Sequence, residues 1–157
     1  LVIDCEGRRG RPNFGLCLQD DCVMGDELVG ERILDAAGFE FDVTDLLKTW
    51  GLDHRIHDRV AMLSGGQRRK VALLCGLIPA MISQTPVAVL LDEPDSGLDD
   101  GSIKRLADTL RNLAAGGHAI LVSSHDSRII EASHRVIDSR TKRRSFNRTK
   151  ASSMLLK

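Results

Sequence analysis

Two short apolar runs, residues 87–91 and 119–122, lie on either side of an amphipathic segment, and this pattern constrains the fold of the 157-residue chain more than any other. Between the runs, apolar side chains recur at helical spacing, at Ile103, Leu106, Ala107, Leu110 and Leu113. Unbroken apolar runs of this length are typical of strands that are covered on both faces. A strand, a helix and a second strand in this order favour a parallel sheet with a right-handed crossover. We therefore predict an α/β fold, with a parallel sheet and helices on both of its faces.

The remaining periodicity divides the chain into regions. Residues 1–3 and 14–18 have the composition of short strands, whereas the apolar spacing within residues 28–34, 43–50 and 71–81 indicates helices. We predict a sheet core, an inserted helical subdomain and a flexible basic tail. These regions comprise residues 1–19 with 83–139, residues 20–82, and residues 140–157, respectively.

The balance of charges narrows the classes of partner. The chain has 22 basic and 22 acidic side chains and a formal net charge of zero, so no long-range field attracts nucleic acid or an anionic membrane. The basic segment at residues 140–150 is the one feature that favours nucleic acid. No apolar stretch reaches the roughly 18 to 20 residues that a bilayer crossing needs, so we expect no direct membrane insertion. Because residue 1 is not Met and opens a strand-like run, we expect the sequence to begin within a domain.

The segment Ser64, Gly65, Gly66 and Gln67 has two interpretations. In the first, it is an ordinary capping box for a helix that begins just after Gly66, with Ser64 as the cap and Gln67 reaching back. In the second, it binds an anion, because two glycines in a first helical turn cost roughly 1 kcal/mol each relative to alanine and a cap does not require them. Glycines expose the amide groups at a helix N-terminus, which is a phosphate site. Residues 68–70 are all basic, a conflict with the helix dipole that a bound anion would resolve, and we favour anion recognition.

A second set of polar side chains follows the predicted strands. Asp92 and Glu93 come at the carboxyl end of the run 87–91, where ligands bind in open α/β sheets. One carboxylate can coordinate Mg²⁺ while the other orients or deprotonates a water molecule. If the next strand is a neighbour, His125 emerges at the same edge, and Gln19 ends an earlier strand. The alternative interpretation is an acidic turn followed by a structural histidine.

Taken in order, these elements resemble those of the ATP-binding cassette (ABC) ATPases. The matching segments are Gln19, residues 63–67, Asp92 with Glu93, residues 96–99, and His125. The resemblance extends from residue 1 to about residue 138. It implies a partial P-loop NTPase (RecA-like) fold with an inserted α-helical subdomain.

The resemblance also implies a role for each matching residue. Gln19 would be the Q-loop residue and a contact of Mg²⁺, Asp92 the Walker B ligand of Mg²⁺, Glu93 the catalytic base and His125 the switch histidine. The signature motif, which touches the ATP held by a partner cassette, would comprise Leu63, Ser64, Gly65, Gly66 and Gln67. The D-loop would comprise Ser96, Gly97, Leu98 and Asp99.

The implied function is that of the ATP-binding and ATP-hydrolysing domain of an ABC transporter. Such a domain works as a dimer with a second cassette on the cytoplasmic face of a membrane, and residues 19–32 would contact the transmembrane subunits. Two alternatives stay open. The first is a soluble cassette ATPase that acts on ribosomes or DNA, and the second is a non-catalytic partner cassette that contributes its signature motif in trans.

The chain departs from this family at the phosphate-binding loop. No stretch reads Gly-x-x-x-x-Gly-Lys-Ser/Thr, the loop whose backbone amides hold the phosphates of ATP. We therefore expect the 157 residues to be the C-terminal part of a cassette and to be inactive alone. A partial sheet leaves apolar surface uncovered, so we also expect the isolated chain to be poorly soluble.

Overall fold

The main sheet of the computed structural model is parallel, as predicted, and it has three strands. The residues described are 2–3, 9–10, 14–19, 25–38 and 42–137, and the predicted tail lies outside them. The main sheet contains β3 (Phe14–Cys17), β4 (Ala88–Asp92) and β5 (Ala119–Ser123), in the order β3-β4-β5. A separate antiparallel pair contains β1 (Val2–Ile3) and β2 (Arg9–Gly10). The carboxyl ends of all three parallel strands therefore meet at one edge.

Five α-helices connect and cover the strands in the described part of the chain. They are α1 (Val29–Ala37), α2 (Thr44–Thr49), α3 (Gly65–Ile82), α4 (Asp100–Ala115) and α5 (Ser127–Ala132). Two 3₁₀ turns, Asp53–Arg55 and Val60–Met62, lie between α2 and α3. Helix α3 begins at Gly65 rather than after Gly66, because Ser64 is its N-cap, and it continues through Pro79.

Helix α3 packs directly against β3 because glycines occupy both contact points. A Cβ atom at Gly15 would overlap the carbonyl oxygen of Gly76, and a Cβ atom at Gly76 would lie 2.9 Å from the carbonyl oxygen of Leu16. Any larger side chain at either position would separate the helix from the strand. This close approach fixes the helix that carries the signature segment relative to the sheet.

The core is built from apolar side chains of every helix. The largest fully buried side chains include Ile33, Leu47, Trp50, Leu52, Leu73, Leu74, Leu77, Leu106 and Ile129. The guanidinium of Arg105 in α4 lies 5.9 Å from the ring centroid of Trp50, a cation–π contact. This contact joins α4 to the segment that follows α2.

One face of the main sheet is uncovered in the described structure, which corrects the expectation that its strands are covered on both faces. Val89 is fully buried, whereas its neighbour Leu90 in β4 is 41% exposed. Leu90 is in register with Leu16 of β3 and Leu121 of β5, which are 42% and 65% exposed. An apolar run indicates that burial of both faces of a strand would be favourable, but it does not show that other elements cover both faces. The three leucines form a contiguous apolar patch that favours association.

Replacing Leu16, Leu90 and Leu121 together with threonine is expected to raise the soluble fraction of the isolated chain several-fold. Threonine retains a high strand propensity and removes apolar surface from the exposed face. The soluble fraction after centrifugation and static light scattering measure the effect. Val89→Thr changes the buried face of the same strand and is the control, with lower stability and no gain in solubility expected. A triple variant as insoluble as the parent would contradict an exposed sheet face.

Candidate active site

The structure brings Glu93 and His125 together at the carboxyl edge of the main sheet. Strands β4 and β5 are neighbours, and Asp92 is in register with Ser123. The Nε2 atom of His125 lies 3.8 Å from Oε1 of Glu93. The His125 side chain is 80% exposed and that of Glu93 is 35% exposed, so both face solvent. The edge is thus open to a ligand that could contact both groups.

Ser123 fixes both acidic residues and was not identified from the sequence. Its hydroxyl donates to Oδ1 of Asp92 at 2.5 Å, and the Glu93 N–H donates to Oγ and to the carbonyl oxygen of Ser123 at 3.0 Å each. The sequence places Ser123 at the end of a strand, but its role depends on the register of β4 and β5. One hydroxyl therefore orients the carboxylate of Asp92 and the backbone of Glu93.

The backbone of Glu93 is held in an unusual conformation. Its φ angle is +43°, and no other non-glycine residue in the described part of the chain has a positive φ. This region costs a residue with a side chain on the order of 1–3 kcal/mol, and it persists only where neighbours fix it. The N–H of Glu93 donates to Ser123. The carbonyl oxygen of Glu93 accepts from the Ser96 N–H at 3.0 Å and from Arg69 Nη2 at 2.8 Å. Such strain is concentrated at functional sites, which supports a role for this carboxylate.

Gln19 and Asp92 offer the oxygen ligands that Mg²⁺ prefers. Gln19 lies just beyond β3 and Asp92 ends β4, the adjacent parallel strand. Mg²⁺ commonly takes one or two protein oxygens and completes its shell with water and substrate phosphates, which these two side chains fit. Among the described residues, no group of three His, Cys, Asp or Glu side chains could hold a metal ion without such help.

The loop that carries His125 is fixed by an ion pair next to it. Arg128 donates to both carboxylate oxygens of Asp126, at 2.9 and 2.7 Å, and to Oδ1 of Asp100 at the start of α4, at 3.1 Å. The Arg128 guanidinium holds the pKa of Asp126 at about 2. Asp126 also caps α5 by accepting from the Arg128 N–H. His125 therefore leaves the sheet from a short loop that is anchored on its far side.

The signature segment forms a capping box, the first of its two interpretations from the sequence. Ser64 Oγ accepts from the Gln67 N–H at 3.3 Å, and Gln67 Oε1 accepts from the Ser64 N–H at 3.0 Å. The two glycines differ in their surroundings. A Cβ atom at Gly65 would meet nothing within 4 Å, whereas one at Gly66 would lie 3.0 Å from the carbonyl oxygen of Gly97. Gly66 is therefore explained partly by packing within the chain, and Gly65 leaves open space at the helix N-terminus.

A salt bridge joins the signature helix to the segment 96–99. Lys70 Nζ lies 2.9 Å from Oδ2 of Asp99, and Asp99 also caps α4 by accepting from the N–H and the hydroxyl of Ser102. The hydrogen bonds from Lys70 and then from Ser102 hold the pKa of Asp99 well below its usual range. The candidate residues thus form two groups, one at the sheet edge and one where α3 meets the segment 96–99.

Replacing Lys70 with methionine is expected to lower the free energy of unfolding at pH 7 by about 0.5–1 kcal/mol, a range set by the exposure of Asp99. Because the pKa of Asp99 is lowered in the folded state, this pair stabilises the protein above the pKa of the unfolded chain. Its contribution is lost as the pH falls through the folded-state pKa. Urea unfolding of parent and variant between pH 7 and pH 2 should therefore show a difference that shrinks with acid. Arg111→Met removes an exposed pair within α4 and is the control.

Comparison with known proteins finds relatives among the ABC transporter proteins. The chain is 37% identical over 112 residues to the macrolide export ATP-binding/permease protein MacB of Hyphomonas neptunium. This alignment covers 71% of the chain and 16% of that relative. The chain is also 43% identical over 88 residues to an ABC transporter ATP-binding protein of Streptomyces coelicolor. This alignment covers 55% of the chain and 14% of the relative. A solved structure of the ATP-binding subunit of an ABC transporter superposes with a TM-score of 0.62 and 25% identity, over 72% of this chain and 48% of that one. No family model matches the sequence.

The fold and these likenesses define a class: the described part of the chain has the fold of part of an ABC-type P-loop ATPase. The chain is a homologue of ABC transporter ATP-binding proteins, as its motifs predicted. It spans about one sixth of the length of the first of these curated relatives. Among the described residues, none of the helices combines the length and apolarity that a bilayer crossing would need.

Proposed function

We propose that the chain is the C-terminal part of an ATP-hydrolysing domain of an ABC transporter. The observation that carries this proposal is the 3.8 Å approach of His125 Nε2 to Glu93 Oε1 at the carboxyl ends of adjacent parallel strands. A base and a hydrogen-bond donor at this distance can act on one terminal phosphoryl group. Homology to proteins named for ATP binding supports the nucleotide assignment.

In this proposal Glu93 orients the attacking water and accepts its proton. Hydrogen bonds to its N–H and carbonyl groups fix the backbone from which the carboxylate projects, and general-base catalysis depends on the position of the base. His125 donates a hydrogen bond to the charge that develops on the terminal phosphate. Asp92 and Gln19 would hold Mg²⁺, which neutralises charge on the phosphates when bound. Ser123 keeps the carboxylate of Asp92 in place.

The signature segment would serve a second ATP, held by a partner cassette. Ser64 Oγ accepts the capping bond from Gln67, so its hydroxyl proton is available to donate to a phosphate. Gly65 leaves the amide groups of the first turn accessible, and the helix dipole favours an anion there. The segment of Ser96, Gly97, Leu98 and Asp99 would then lie at the dimer interface beside the signature helix. The working unit would be a homo- or heterodimer of cassettes.

A phosphate-binding loop must complete the site, because the 157 residues contain none. A groove of about 730 Å³ extends from Glu93 and His125 along β5, past Leu121 to Ile137. Strand β5 is at the end of the described sheet, so its outer edge could pair with a further strand. We propose that the segment carrying the phosphate-binding loop occupies this groove, and that the chain alone is inactive.

The proposed location is the cytoplasmic face of a membrane, with residues 19–32 contacting transmembrane subunits. The support is the homology to an ATP-binding/permease protein. For the alternative, a soluble ATPase that acts on ribosomes or DNA, the basic segment 140–150 is the only support. Strongly salt-dependent RNA or DNA binding that requires this segment would favour the alternative.

The proposal is tested by phosphate release from ATP and Mg²⁺, measured for the 157-residue chain and for a protein in which the same chain follows a phosphate-binding loop. Turnover is expected only in the longer protein, and it should depend on protein concentration because two cassettes must associate. When the longer protein is mixed with its own Ser64→Ala variant, mixed dimers form in which only one of the two nucleotide sites lacks the Ser64 hydroxyl. Turnover by these dimers distinguishes the contributions of the two sites. Turnover by the chain alone, or none by the longer protein, would contradict the proposal.

A further inference from the structure

Arg69 is a buried cation whose contacts the proposed function does not explain. Its residue exposure is 8%, and no carboxylate of the described residues lies within ion-pair distance of it. Burying a charge is costly unless hydrogen bonds compensate it. Its Nε atom has no partner among the described residues, so compensation comes from the two terminal nitrogens. The hydrogen bonds that these two nitrogens donate therefore have to offset the cost of burying the charge.

The guanidinium of Arg69 binds the ends of two strands at once. Its Nη1 donates to the carbonyl oxygens of Leu18 and Gln19, at 2.6 and 3.2 Å. Its Nη2 donates to the carbonyl oxygens of Asp92 and Glu93, at 3.0 and 2.8 Å. All four acceptors immediately follow or end β3 and β4. A planar fork with donors on both arms suits this arrangement, and a lysine ammonium could not span it.

Three of the four acceptors, the carbonyl oxygens of Gln19, Asp92 and Glu93, belong to residues that the proposed mechanism uses. Glu93 has the strained φ of +43°, and the bond from Arg69 is one of those that hold its carbonyl. Gln19 supplies the side-chain amide proposed to contact Mg²⁺, and its carbonyl is bound by the same guanidinium. The distance between these two backbones is therefore set by a single rigid group.

The same side chain also belongs to the helix that carries the signature segment. Ser64 caps α3, and Arg69 lies five residues later, about 7.5 Å along the helix axis. A shift of α3 would move the guanidinium and, through it, the carbonyls of Gln19 and Glu93. Arg69 is thus a contact between the two groups of candidate residues.

We propose that Arg69 is a positioning residue, which sets the backbones of Gln19 and Glu93 from the signature helix. The inference rests on the proposed function, because it assigns Arg69 to the geometry of that site. It makes the placement of the base in one nucleotide site depend on the helix that contacts the other. Arg69 itself touches neither water nor nucleotide in this scheme.

The first test is amide hydrogen exchange in the complete protein that contains this chain. Arg69→Met is expected to speed exchange of the Glu93 and Ser96 amides about tenfold, because the bonds that hold the strained turn weaken. Exchange over residues 103–113 of α4 should stay unchanged. Arg69→Gln keeps two amide donors on a shorter side chain and should give a smaller effect. Arg68→Met is the matched control, since Arg68 donates only to the Leu63 carbonyl among the described residues.

The second test separates kcat from KM. Arg69→Met is expected to lower kcat for ATP by about 10- to 100-fold, because misplacing a catalytic group by about 1 Å has effects of this size. KM for ATP should stay within twofold, and Arg69→Gln should recover part of kcat. If Arg69→Met does not fold, Arg69→Gln decides alone, with faster exchange at Glu93 expected.

The inference is overturned if exchange at Glu93 and Ser96 matches the parent, or if it rises equally throughout α3 and α4, which would indicate general destabilisation. It is also overturned if kcat is unchanged. A parent protein that shows no ATP turnover contradicts the proposed function instead. In that case the exchange measurement still decides whether Arg69 fixes these two strand ends.

Discussion

Replacing Glu93 with glutamine is expected to reduce ATP turnover at least 100-fold, in line with the contribution of a positioned general base. Glutamine has nearly the same shape, so the turn and its bonds to Ser123 and Arg69 can persist. It cannot accept the proton of the attacking water at neutral pH. Turnover should fall while nucleotide binding is retained, because the lost interaction operates in the transition state.

Phosphate release and equilibrium binding of a fluorescent ATP analogue measure these two effects separately, in the complete ATPase. Glu131→Gln is the matched control, because Glu131 lies exposed on α5 and has no place in the proposed chemistry. It should leave both quantities unchanged. A Glu93→Gln protein with parental turnover would remove Glu93 from the mechanism, whatever its distance from His125.

Replacing Gly15 with alanine is expected to destabilise the fold by about 3 kcal/mol or more, at the upper end of the range for overpacked cores. The added Cβ atom would overlap the carbonyl oxygen of Gly76, which is backbone inside α3 and cannot rotate away. Helix α3 would have to lift from β3. Because α3 also carries Arg69, the contacts at the sheet edge should loosen as well.

Urea unfolding followed by the fluorescence of Trp50 measures this loss. Trp50 is the only tryptophan in the chain and is 1% exposed, so it reports on the packed core. Gly65→Ala is the control on the same helix, because a Cβ atom there meets nothing within 4 Å. That substitution should be neutral or stabilising, since alanine is the better helix former. A Gly15→Ala protein as stable as the parent would contradict the close packing of α3 on β3.

The sheet edge could be predicted because it follows from local patterns. Apolar runs mark strands, parallel strands share an edge, and the polar residues that end them must meet there. This reasoning alone predicted that Glu93 and His125 lie at the same edge of the sheet, and the structure confirms their proximity. The capping box at Ser64 was equally accessible, because its partners are three residues apart.

The supporting residues could not be predicted, because they depend on tertiary register. Ser123 acts through its position opposite Asp92, which no pattern within one strand reveals. In the sequence, Arg69 lies among other basic residues and resembles an exposed surface charge. It nevertheless shares a helix face with Gly76, seven positions later, which packs on β3. This shared face was the feature of the sequence from which the burial of Arg69 could have been inferred. The prediction that both sheet faces are covered was wrong for a similar reason. An apolar composition shows that burial would be favourable, but not whether the chain contains the elements that would cover that face.

The most direct measurement of the central claim is the ¹⁵N NMR spectrum of the imidazole of His125 in the complete protein. A His125→Gln variant assigns its signal among those of the other histidines, four of which lie in this chain. The claim is that Gln19, Asp92, Glu93 and His125 face the terminal phosphoryl group of ATP. A non-hydrolysable ATP analogue with Mg²⁺ is therefore expected to shift the His125 signal, whereas ADP with Mg²⁺ is not. Identical His125 spectra with the two nucleotides, both bound at saturation, would contradict it.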